Sequence, residues 1–267
     1  ETCKTLFLPT PPVVVMAWRG GVTVAEDARL DRDLFMKPEQ GRGAFGARAF
    51  PADEFGALRR ETLLRLVARR SWLVPQIVQP LLRNHPDLAD LADRSLVTFR
   101  VFTCFDAADQ PIVTHAMLRT ISKLEPDWPT GEEYAAPIDL ATGRLGTMCG
   151  DTRIGPDDWY VDHPVTGAPV AGRQVPQWDA ILDLAVKAHL VFADRLLLGW
   201  DIALTPEGPI VIEANSYPDT ELLQRVHRQP IGASPLGPLL AHHLERLAEL
   251  RGRFRGDLGD APITDGL

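Results

Sequence analysis

The chain has 267 residues, a net charge of −8 and a pI near 5.4, enough length for one large domain or two modest ones around a sizeable core. The acidic balance argues against nucleic acid as the main partner. No apolar run approaches the ~20 residues of a membrane span.

Three scattered cysteines, Cys3, Cys104 and Cys149, show no metal-ligand spacing. They fit buried, inert thiols in a reducing, cytoplasmic setting. The chain opens on Glu1 rather than Met, so upstream sequence is expected.

In chain order, residues 9–18 read as an extended lead-in, three prolines in four residues followed by Val13, Val14, Val15 and Met16. Residues 34–37 read as a short strand delivering Lys37 into a loop with three glycines, Gly41, Gly43 and Gly46. Residues 53–70 have helical spacing, with Phe55, Leu58, Leu63, Leu66 and Val67 on one side and arginines on the other. Trp72–Gln79, Leu96–Phe105 and Pro111–Leu118 read as strands.

Residues 122–178 are rich in Gly, Pro and Asp, with strand-like pieces around Tyr134–Leu140, and form a long irregular section. Ile181–Leu197 reads as an amphipathic helix and Leu236–Leu250 as a last helix before a poorly ordered tail. Strands and helices alternate without strict βαβ regularity, which predicts an α+β fold.

Two constellations carry chemistry. The first lies on two apolar runs joined by Thr205-Pro206-Glu207-Gly208, which read as a hairpin. Glu213 and Asn215 are two apart on a strand and project together. Pairing around the turn then brings Asp201 beside them. Carboxylates among Leu, Ile and Val are costly to bury without compensation, and an oxygen-only set suits a hard cation such as Mg²⁺. The second is Lys37 with its glycine loop, where backbone N–H groups approach an anion closely and the lysine adds a point charge. It is neither a Walker A loop nor a Rossmann fingerprint; a flexible surface turn is the competing reading.

Together these motifs resemble the ATP-grasp superfamily, whose members hold ATP between two α+β subdomains. The resemblance spans Lys37 to about Asp219. It implies an N-terminal segment with the small subdomain over 1–78, a large subdomain over 79–230, and a C-terminal helix and tail over 231–267. By the same match, Asp201 would bind one Mg²⁺, Glu213 would bridge two and Asn215 would complete the second. Lys37 would contact the α/β phosphates, with Gly41, Gly43 and Gly46 in the loop closing over them.

Gln79, Leu81 and Leu82 resemble the hinge that reads adenine, although an acid usually stands where Gln79 is. A second phosphate-contacting lysine would normally precede the Lys37 strand, and Lys4 is the one candidate. Thr98-Phe-Arg-Val-Phe-Thr103, Ala136-Pro-Ile-Asp-Leu-Ala-Thr-Gly143, Asp162-His-Pro-Val-Thr-Gly167 and Gly199-Trp-Asp201 are most similar to the sugar-transfer-associated ATP-grasp group.

The resemblance implies an ATP- and Mg²⁺-dependent ligase that activates a small-molecule carboxylate as an acyl phosphate for attack by a nucleophile such as an amine. A kinase on the same fold and a non-catalytic nucleotide-binding module are the alternatives. Arg100 and Arg119, charged residues on apolar strands, are candidates for gripping the carboxylate or the acyl phosphate. Asp139 is a further candidate for substrate contact. His163, His189, His242 and His243 read as structural or exposed.

Overall fold

The computed structural model describes residues 8–39, 46–92, 95–122, 132–151 and 158–257. They build two sheets in which every strand pair is antiparallel, an α+β arrangement.

The smaller sheet comprises β1 (Val15–Trp18), β2 (Gly21–Val24), β3 (Leu34–Pro38), β4 (Arg48–Phe50) and β5 (Gln76–Pro80), in the order β2-β1-β5-β3-β4. Alternation along β1 and β3 turns Val15, Ala17, Leu34 and Met36 towards helix α1 (Arg59–Arg70), where they pack with Leu63, Val67 and Val78. Phe35 and Lys37 therefore take the opposite, open face.

The larger sheet comprises β6 (Thr98–Phe105), β7 (Pro111–Ser122), β8 (Glu132–Pro137), β9 (Met148–Gly150), β10 (Trp159–Tyr160), β11 (Leu197–Thr205) and β12 (Gly208–Asn215), in the order β10-β9-β8-β7-β6-β11-β12. Helix α2 (Trp178–Val191) covers one face, packing Trp178, Ile181, Leu184, Ala185 and Ala188 over Phe99, Val101, Leu118, Trp200 and Ile202. Helix α3 (Thr220–His227) covers part of the other face through Leu222, Leu223 and Val226. Helix α4 spans Leu236–Asp257.

Several elements differ from the sequence reading. The first helix starts at Arg59 rather than residue 53, because Phe55 and Gly56 adopt positive φ (72° and 50°) that no α-helix continues. Arg59 is buried rather than solvent-facing. Its guanidinium donates to the carbonyls of Leu30 (2.6 Å), Arg32 (2.6 Å), Glu54 (3.1 Å), Phe50 (3.3 Å) and Pro51, so its donors are satisfied inside the fold.

The strand expected from Trp72 begins at Gln76, because Ser71 and Leu73 still donate back to Val67 and Arg70 at the end of α1. Helix α2 starts at Trp178 and ends at Val191, where Phe192 donates to His189 and tightens the chain into a turn. The last helix runs on to Asp257. Residues 122–178, read as irregular, contain β8, β9 and β10. The short elements β2, β4 and α3 were missed, since three to eight residues give too few periods to register.

Candidate active site

The expected hairpin forms, with Thr205 paired to Gly208 and Asp201 directly opposite Glu213. The Thr205 hydroxyl donates to the Gly208 carbonyl at 2.9 Å and accepts from the Glu207 N–H at 3.3 Å, and Gly208 takes a φ of +121° that favours glycine. The register then slips by one residue between Asp201 and Ile202, whose partner is Val211. This bulge decides the chemistry. Val211 packs in the α2 core with Ile202, and two residues on, an unbroken strand would turn Glu213 to that same apolar side. The extra residue instead puts Glu213 on the open face with Asp201. Asn215 pairs with Gly199 and donates to its carbonyl at 3.3 Å.

On β6 and β7 the residues that alternate with the core-facing Phe99, Val101, Ala116 and Leu118 are Arg100, Met117 and Arg119. Both arginines converge on Asp201. Arg100 donates through Nε to Oδ1 at 2.5 Å and through Nη2 to Oδ2 at 3.0 Å. Arg119 donates through Nη1 to Oδ1 at 3.2 Å and Oδ2 at 3.5 Å, while its Nε donates to Glu133 Oε1 at 2.6 Å.

Burial works to raise the Asp201 carboxyl, but the charges of Arg119 and Arg100 outweigh it and hold the pKa below the usual range. Burial likewise opposes the Arg119 charge, and Asp201 and Glu133 overcome it, pushing that pKa up. Gly199 makes room for the arrangement: a Cβ there would lie 2.6 Å from Pro218 Cβ and 3.2 Å from Arg100 Cδ.

Glu213 stands differently. Its pKa is raised, first by the surrounding protein and then by the like charge of Asp201, against the pull of Lys37, Arg100 and Arg119. Lys37 is pushed down by burial and supported by Glu213 and then Asp201. The lysine of the small sheet thus lies within electrostatic reach of the acids of the large sheet, which linear sequence separates by more than 160 residues.

Other candidates are placed as follows. Gln40–Phe45, including Gly41, Arg42 and Gly43, lie outside the described residues, as does Lys4. Gly46 adopts φ +79° and its carbonyl accepts from Arg70 Nη1 at 2.9 Å, which ties Gly46 to the end of α1.

At the candidate hinge, Gln79 is buried at the end of β5 and its side-chain amide donates to Pro11 O at 3.0 Å. The Leu81 N–H donates to Asp33 O at 3.0 Å, so that group is not available to an adenine ring. Asp139 accepts from Thr142 N (2.8 Å) and Oγ1 (2.6 Å), which makes it a turn former.

His163 is buried, bonded to Thr120 Oγ1 at 2.9 Å through Nε2 and to the N–H groups of Val165 and Thr166 through Nδ1. His189 is buried beside Arg195 O, and His243 bonds Phe105 O. Cys104 and Cys149 are buried, and burial pushes the Cys104 thiol up to about 11. The sequence reading missed Glu133. The one available signal was its place between Tyr134 and residues of a Gly/Pro-rich stretch, too weak to assign a face.

Among the described residues no three His, Cys, Asp or Glu side chains cluster as a metal site. The candidate set here is two carboxylates and an amide, all oxygen donors, which suits Mg²⁺ rather than a softer ion. Asp201 and Glu213 stand opposite each other on the hairpin, a carboxylate pair whose like charges a cation would relieve. On those grounds the residues fit the ion. No described helix is long and apolar enough to cross a membrane.

Two antiparallel α+β units, with a lysine strand on one and an acid hairpin on the other, fit the ATP-grasp fold. The family model for sugar-transfer associated ATP-grasp proteins matches residues 62–231. The chain belongs to that family. Among solved structures it is similar to D-alanine–D-alanine ligase from Bacillus anthracis, at 11% identity and TM-score 0.50 over 95% of this chain and 67% of that one. L-amino acid ligase from Bacillus licheniformis gives 13% identity and TM-score 0.50 over 90% and 44%. A D-alanine–D-alanine ligase of Jannaschia sp. (strain CCS1) is 34% identical over 110 residues, 35% of this chain and 34% of that protein's length. The chain thus spans about a third of that curated relative.

Proposed function

We propose that the chain is an ATP-dependent ligase that activates a carboxylate as an acyl phosphate, with release of ADP, for attack by an amine or a similar nucleophile. The observation that carries this reading is the convergence on one open face of Asp201, Glu213 and Asn215 with two arginines, with Lys37 approaching from the other sheet. The ligase names of the relatives support it.

Asp201, Glu213 and Asn215 would hold Mg²⁺, which when bound offsets charge on the phosphates and on the transferring γ-phosphoryl group. Lys37 would steady the phosphates, and its depressed pKa reflects a site partly shielded from water, where a single charge acts more strongly. Arg100 and Arg119 would orient the acceptor carboxylate through forked donors. Most of the protein's contribution is positioning.

The test is incubation with ATP, Mg²⁺, hydroxylamine and a panel of carboxylates, reading ADP and hydroxamate, with Glu213→Gln as control. Hydroxamate from one acid, lost in the variant, is the expected result. A stable phosphorylated product formed from an alcohol, without hydroxamate, would replace the ligase with a kinase; nucleotide binding without turnover on either panel would favour the non-catalytic nucleotide-binding module.

A further inference from the structure

Both carboxylate oxygens of Asp201 accept from two guanidinium groups, so its single negative charge is already shared between two cations. Arg100 donates through two nitrogens, one to each oxygen, at 2.5 and 3.0 Å, and the single Nη1 of Arg119 straddles both at 3.2 and 3.5 Å. A metal ion at Asp201 would add a third cationic centre beside the two guanidinium groups, a repulsion relieved when one arginine yields. The two arginines are unequal. Arg100 holds Asp201 by a short fork, and among the described residues its side chain hydrogen-bonds to Asp201 alone. Arg119 has the longer contacts, and its Nε is already anchored to Glu133 at 2.6 Å. Releasing Arg119 from Asp201 leaves its charge compensated; releasing Arg100 would strand a buried cation.

Resting on the ligase reading above, we propose that Glu133 is a positioning residue for an exchange at Asp201. When metal and nucleotide enter, Arg119 gives up Asp201, stays on Glu133, and presents the freed Nη1 to the acceptor or its transferred phosphoryl group, while Arg100 remains on Asp201. The charges on the open face favour this coupling. Arg100 and Arg119 balance Asp201 and Glu133, and Lys37 balances Glu213, so a dication that brings a polyanion with it is favoured over a dication alone. One arginine thus serves two states, capping the buried acid when the site is empty of nucleotide and turning to the substrate when it is filled.

The whole chain, labelled with ¹⁵N-arginine, tests this by NMR, with Arg119→Lys and Arg100→Lys to assign the signals. ADP without metal should leave the Arg119 signals unchanged. ADP with Mg²⁺ should speed Arg119 Nη hydrogen exchange about tenfold while its Nε–H stays protected and Arg100 is unaffected. A second measurement separates anchoring from plain charge. In the presence of ADP, Glu133→Gln should weaken Mn²⁺ binding, read by electron paramagnetic resonance, about tenfold. Glu132→Gln, which removes the same charge one residue away, should change it less than twofold.

Binding of ADP and metal with unchanged Arg119 signals, or with Arg100 moving instead, overturns the exchange and leaves the ligase reading standing. Equal losses in the two glutamine variants do the same. Failure of ADP and metal to bind at all overturns both.

Discussion

The two faces of the seven-stranded sheet are made by the same strands yet obey opposite rules. On β11, Leu198, Trp200, Ile202 and Leu204 turn to α2 and are buried among apolar side chains. Between them Asp201, 9% exposed, is surrounded by guanidinium groups. The apolar face is held by area removed from water, which tolerates small adjustments. The charged face is held by a closed account of partners, in which removing one member exposes the others. The lesson is that burial has two meanings on neighbouring residues, and each predicts a different response to mutation.

The widest break in the comparison comes from Trp200 and Asp201. Trp200→Ala should lose about 3–5 kcal/mol of stability through the cavity, together with the bond from its Nε1 to Thr103 Oγ1. It should do so with nucleotide affinity in the surviving folded protein little altered. Asp201→Ala should lose a similar ~3–5 kcal/mol, because Arg100 and part of Arg119 are left buried without a counter-charge, and should abolish metal binding as well. Denaturant unfolding with a parallel Mn²⁺ titration checks both. If Asp201→Ala proves stability-neutral, the arginines find water, and the closed account fails.

A smaller effect sharpens the contrast at the edge where α3 meets the sheet. His115 is buried on β7 with its ring 5.1 Å from that of His227, and burial, then the His227 charge, push its pKa down to about 4. Because the folded value lies below the unfolded ~6.5, the unfolded chain takes up the proton first. Stability is fully present above about 6.5 and is lost as pH falls from there towards 4. The loss should be on the order of 2 kcal/mol after allowing for solvent screening, and His115→Gln should flatten that part of a stability–pH profile.

The smallest stability change is expected at Glu213, an exposed residue whose carboxyl is held above its usual range by the surrounding protein and then by Asp201. Glu213→Gln removes that repulsion, so unfolding free energy should stay within about 0.5 kcal/mol or rise slightly, while metal affinity falls steeply. A large loss of stability would show that Glu213 belongs with the closed account around Asp201.

Residue type and short spacing made much of this legible. The turn at Thr205–Gly208, the Glu-x-Asn pair, the Lys37 strand and the unusual arginines of β6 and β7 all depend on local chemistry and a period of two, which a linear chain carries directly. The helix over 53–70 was read too long because the positive φ values at Phe55 and Gly56 are set by packing rather than by composition. Buried Arg59 escaped notice because helical periodicity says nothing about five carbonyls arriving from residues 30–54.

The sequence by itself determined which side chains could take part: two acids and an amide on a hairpin, a lysine before a glycine loop, and two arginines on apolar strands. Only the tertiary structure decided who faces whom. The bulge beside Asp201 turns Glu213 out of the α2 core, and the β7–β8 register brings Glu133 to Arg119 across a long irregular stretch. Both are matters of strand register. A one-residue slip exchanges the two faces of a strand, and which register wins depends on the apolar area buried along its whole length, a sum over residues distant in the chain.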